Sequence, residues 1–175
     1  MTFYIDSKKA DSPRRISAFL KKCILCHPEK WTEIVFLCIG TDRTTGDCLG
    51  PYIGQQLLSH AVHGVYVYGT LFRPVHALNL QITCDDIRRR HPEALVIAID
   101  ASLGQKKHLG YVTIANGALY PGAAVRKELP PVGDIHITGI VNTSGVLEHL
   151  TLQTTRLPPR RGDALHELPR QRGRQ

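Results

Sequence analysis

The sequence predicts an α/β fold, three-layer α/β/α with a mostly parallel sheet, and three observations carry that prediction. Short, continuously apolar runs, IVFLCI at 34–39 and ALVIAID at 94–100, read as strands buried on both faces. Stretches with apolar residues at helical spacing lie between the strands. Strand and helix therefore alternate along the chain, the order that crossover connections in a parallel sheet require.

Each element has its own justification. Ser12-Pro13 opens the first helix, with serine as cap and proline at the first helical position. Ile16, Phe19, Leu20, Cys23 and Ile24 give that helix one apolar face before HPEKW ends it. After the strand at 34–39, DCLGPYIGQQLLSH reads as a helix with Leu49, Ile53 and Leu57 spaced by four, and Gly50 and Gly54 let it lie close to the sheet. VYVYG (65–69) is the next strand, and Leu80 to Arg90 the next crossover helix, stopped by His91-Pro92. Past the strand at 94–100 come the loop ASLGQKKHLG, a more exposed strand YVTIAN, and a turn-rich stretch at 117–133. DIHITGI (134–140) is a further strand, and NTSGVLEHLTLQTT begins a last helix, with Asn142 and Ser144 as cap residues. No internal repeat is visible. The reading is one domain over 1–157 and a basic, Pro- and Arg-rich tail over 158–175, expected to be disordered.

With 175 residues, 42% hydrophobic and 21% charged, the chain is large enough to bury a core without disulfides. Five cysteines make an odd count, which argues against a disulfide framework. No apolar run approaches the ~18 residues of a membrane span, and the N-terminus lacks the apolar core of a signal peptide. A cytoplasmic protein with no membrane partner is the expectation. The net charge of +7 does not argue for nucleic acid. The last twenty residues hold six arginines against one aspartate and one glutamate, so residues 1–155 carry only +3.

The segment FLCIGTDRTTGDCLGP (36–51) has glycines at 40 and 46, one residue wider than the spacing of the phosphate-binding loop it otherwise resembles. The position of that loop's lysine is Asp47, whose charge would oppose an anion, so nucleotide binding is rejected. Two readings of Asp47 stay open: a cap for the helix that follows, or a site carboxylate. Asp100 ends the strand LVIAID, at the edge where open α/β sheets bind ligands, and is read either as a turn former or as a partner of Asp47. Two converging acids can share a proton or hold a divalent metal. His136 lies opposite Ile135 and Ile137 on its strand and is a candidate third group, as is His76 in FRPVHALN. CILCH (23–27) matches a haem-attachment pattern only formally, because Cys23 falls on the apolar face of a helix and no second Cys pair completes a zinc site. Cys48, beside Asp47, is a weak candidate nucleophile because the carboxylate opposes thiolate formation.

Taken together, VFLCIGTDRTTGDCLGPYIG, GTLFRPVHALNL, VIAIDASLGQ, GALYPGAAVRKELPPVGDIHITGIVN and LQTTRL resemble the YyaC family of sporulation proteins, often called spore proteases, from about residue 14 to 157. That family is similar, more distantly, to the germination protease and the hydrogenase maturation endopeptidases, whose hydrolase-like α/β fold the resemblance implies here. In the germination protease one aspartate lies in a segment ending DALGP and another closes a strand reading IDA. The resemblance places these at Asp47 and Asp100. In the maturation endopeptidases the equivalent acids join a histidine in binding nickel, so a divalent metal on Asp47, Asp100 and His136 is a further expectation, with His136 supported by strand alternation alone. The implied activity is a peptidase acting on a spore protein or proprotein in the mother cell or forespore, with Asp42, Arg43, His76, His136 and Asn142 framing the substrate. A non-catalytic binding or assembly factor on the same fold is the alternative. After LQTTRL the family continues with an apolar helix-forming segment; this chain continues with prolines and arginines.

Overall fold

The computed structural model describes residues 2–143 apart from 42, 44, 45, 61 and 122–128. Its elements in chain order are β1 (Thr2–Asp6), α1 (Ser12–Leu25), β2 (Glu33–Cys38), α2 (Leu49–Ser59), β3 (Val65–Tyr68), α3 (Leu80–Arg90), β4 (Ala94–Gly104), β5 (Tyr111–Asn116) and β6 (Ile135–Thr143). The six strands form one mixed sheet in the order β1-β5-β6-β4-β2-β3. β6, β4, β2 and β3 run parallel, while β5 is antiparallel to both β6 and β1.

The continuous apolar runs have a physical explanation in the side-chain alternation of a strand. In β2, Val35 and Leu37 enter a core cluster with Leu80 and Ile87 of α3, Ala98 and Val75. Ile34 and Phe36 pack instead against a second cluster, which holds Cys23 of α1, Ile5, Leu95, Ile97, Ile114 and Ile135. A strand feeding two cores needs apolar residues at every position. Cys23, half of the CILCH pattern, is therefore a core residue.

Chain order and sheet order together produce a reversal. β2 connects through α2 to β3 on one side, and β3 returns through α3 to β4 on the other side of β2. The carboxyl ends of β2 and β4 flank this switch point, the position where such sheets open a crevice.

Several expectations are corrected. β1 was not foreseen; its five-residue pairing with β5 gives the sheet its second antiparallel contact. Three of the sheet's five pairings are parallel, which keeps it mostly parallel; the two antiparallel ones make it mixed, because YVTIAN follows β4 through a short connection and so runs back along β6. The cap of α1 is Asp11, with Ser12 already helical and its hydroxyl donated to the Ser7 carbonyl at 3.2 Å. β4 does not stop at Asp100 but continues to Gly104, paired with β6 throughout and broken by one irregularity between Ser102 and Leu103. Asn142 belongs to β6 and is no helix cap there. Ser144, the last expected helix and the tail lie outside the described residues.

Candidate active site

The turn after β2 is built by close backbone contact. Gly40 has φ of +141°, and a Cβ on it would collide with the Asp47 carbonyl. That carbonyl accepts the Thr41 N–H at 3.0 Å, so both ends of the loop are pinned together. Helix α2 then starts at Leu49 with Cys48 in the cap position and no side-chain cap hydrogen bond. Asp47 thus stands one residue before the cap position, with its carboxylate hydrogen-bonded to the Thr41 backbone.

Asp100 lies within β4, beside Thr138 of β6 in the parallel register, and is 8% exposed. Burial pushes its pKa up to about 7, against the pull of the Ala101 N–H, which donates to Oδ1 at 2.7 Å; the charge of Asp47 raises it further. Asp47 is itself raised by burial, and held back by hydrogen bonding to the Thr41 backbone and by the charge of His76. The charge of Asp47 therefore reaches Asp100 near the switch point between β2 and β4.

His76 arrives by a route no sequence pattern announces. Ile39, just past β2, forms a parallel bridge with Val75, and Gly40 donates its N–H to the Val75 carbonyl at 2.8 Å. The next residue is His76. Its backbone N–H donates to Asn79 Oδ1 at 2.7 Å, and its Nδ1 accepts the Leu78 N–H at 3.3 Å. In the neutral ring this hydrogen bond assigns the proton to Nε2.

The other candidates lie elsewhere. His136 pairs with Ala98, two strand positions or about 7 Å before the level of Asp100, and its Nδ1 is 2.8 Å from the Gly117 carbonyl. Asn142 pairs with Leu103, three positions beyond Asp100, and accepts the Thr143 N–H at 2.8 Å. Arg43 is exposed, with its backbone N–H donated to Thr41 Oγ1 at 3.2 Å, and Asp42 is outside the described residues. Among the described residues no group of three His, Cys, Asp or Glu side chains is placed to hold a metal. Asp47, Asp100 and His136 are not placed as such a group. Sequence reasoning missed Thr138 and Thr113, whose hydroxyls lie 2.6 Å apart, buried, beside Asp100 on the same sheet face. A threonine in a strand is an ordinary β-former and gives no signal of a site.

Fold and site define a class: a mixed α/β sheet with two interacting, burial-perturbed carboxylates at the carboxyl side of adjacent parallel strands. Residues 4–159 match the family described as Protein of unknown function (DUF1256), and the chain belongs to it. It is also 46% identical over 154 residues, 88% of this chain and 74% of the relative, to the Uncharacterized protein YyaC of Bacillus subtilis (strain 168). No solved structure matches. No described helix is long and apolar enough to cross a membrane.

Proposed function

We propose that the chain is a sporulation-associated peptidase on a three-layer, hydrolase-like α/β/α fold, cleaving a spore protein or proprotein with Asp47 and Asp100 as its acid pair. One observation carries this reading: Asp100 is buried and raised to about 7, with the charge of Asp47 among the causes. Titratable groups perturbed by burial and by a specific neighbour concentrate at catalytic sites. The two core clusters, one on α1 and one on α3, support the layered fold.

The chemistry follows from the order of the two acids. In this reading Asp100, whose burial raises its pKa to about 7, serves as the acid and Asp47 as the base. Asp47 takes a proton from water as its oxygen attacks the peptide carbonyl, and Asp100 gives its proton to the leaving nitrogen as the C–N bond breaks. Asp47 ends protonated and Asp100 ionised; passing that proton between them resets the pair. His76 keeps Asp47 available as the base.

The second reading is a non-catalytic binding or assembly factor on the same fold, in keeping with His136, whose Nδ1 lies 2.8 Å from the Gly117 carbonyl. Incubating the purified chain with spore-protein extracts and sequencing new N-termini by mass spectrometry separates the two. Cleavage lost in Asp47→Asn and Asp100→Asn supports the peptidase; variants that cut as well as wild type defeat it.

A further inference from the structure

Beside the acid pair, a cleft of about 720 Å³ wraps the carboxyl end of β3, walled by α2 on one side and the start of α3 on the other. Gln55 and Leu58 of α2, Thr70 and Arg73 of the following loop, and Thr83 of α3 contribute to its lining. β3 ends the strand order, so among the described residues its outer edge carries no neighbouring strand. An edge strand offers outward N–H and C=O groups to a segment laid beside it.

Charge narrows the choice of occupant. The cleft lining contains one guanidinium, Arg73, together with the imidazole of His76, and no aspartate or glutamate. His76, in the cleft lining, also acts electrostatically on Asp47. Leu58 and Phe72, 48% and 72% exposed, add apolar surface at its lining.

We propose that this cleft is the docking groove for an extended, acidic polypeptide segment, which adds to β3 as an edge strand and is read by Arg73. Backbone pairing gives sequence-tolerant affinity, while side chains alternating toward the cleft give selectivity for carboxylates. The proposal rests on the hydrolase reading only for what happens to the segment once bound.

The test uses the full chain and two short labelled peptides, one alternating glutamate with valine, the other lysine with valine. Fluorescence anisotropy should show the acidic peptide binding at least about tenfold tighter, with Arg73→Glu removing or reversing the preference. Hydrogen exchange at the amides of Val65–Tyr68 should slow when the acidic peptide is added and stay unchanged with the lysine peptide. Equal binding of both peptides, indifference to Arg73→Glu, or β3 amides that do not respond would overturn the groove. Repeating the titration on an Asp47→Asn, Asp100→Asn double variant separates the two claims. Binding retained in that variant while the cleavage seen with wild type is lost supports both claims. A wild-type chain that binds the acidic peptide and cuts nothing leaves the groove standing and the peptidase failing, and cleavage independent of Arg73 does the reverse.

Discussion

Gly40 donates its backbone N–H to the carbonyl of Val75 at 2.8 Å, and that bond sets the loop bearing His76 against the turn bearing Asp47. The charge of His76 lowers the pKa of Asp47, opposing the rise that burial causes. His76→Gln should therefore raise the Asp47 pKa. In a cleavage assay the acid limb of the kcat/KM profile should move to higher pH, with activity lost first on the acid side. A profile that keeps its shape while only its height falls would assign His76 to packing instead.

Asp100 carries a stability prediction of definite sign. Its folded pKa, about 7, lies above the ordinary 3.8, so across that window the folded chain holds a proton that the unfolded chain has released. Stability therefore falls as pH rises from about 4 to about 7 and levels off above it. At ~1.4 kcal/mol per unit, the ionised carboxylate costs up to about 4 kcal/mol above pH 7. Asp100→Asn should be more stable than wild type above neutrality, and the two should converge toward pH 4. Urea unfolding at a series of pH values measures this, and a variant less stable at pH 8 would contradict it.

Removing the other acid tests the coupling between them. The Asp47 charge raises the Asp100 pKa, so Asp47→Asn should bring it below about 7. Carboxyl-carbon chemical shifts followed through a pH titration report this directly. An Asp100 titration identical in the variant would mean that burial alone accounts for its shift.

The parts of this structure that were legible in the sequence are those where burial dictates residue type. The span of α3, Leu80–Arg90, is bounded by its apolar period and by His91-Pro92, and IVFLCI announces a strand because both of its faces enter cores. β1 escaped because TFYID has a single fully buried residue, Ile5, and is held by pairing with β5, a partner about 110 residues away that no local pattern reveals. The site divides in the same way. Asp47 lies in the turn after β2 and Asp100 within β4 just past its apolar run, near the switch point, a position that order alone suggests. The placing of His76 depends on a backbone bridge between Ile39 and Val75, two apolar residues whose side chains carry no trace of it. His136 looked equivalent because alternation fixes a face of the sheet but not a level along the strand.

The close approach of α2 to the sheet gives the last prediction, and it joins stability to the site. A Cβ at Gly54 would run into the Gly69 carbonyl and lie 3.2 Å from the Cys38 Cβ. Both neighbours sit at the ends of paired strands and cannot yield as a flexible side chain would. Gly54→Ala must therefore push α2 outward, and overpacking of this kind costs about 1–3 kcal/mol even though alanine is the better helix former. The displaced helix begins two residues after Asp47, so the carboxylate should move with it and the mutual shift of the acid pair should weaken. Thermal unfolding should show a lower Tm, and the Asp100 titration should move down in the same variant. A Tm at or above wild type would show that α2 has room that this packing denies it.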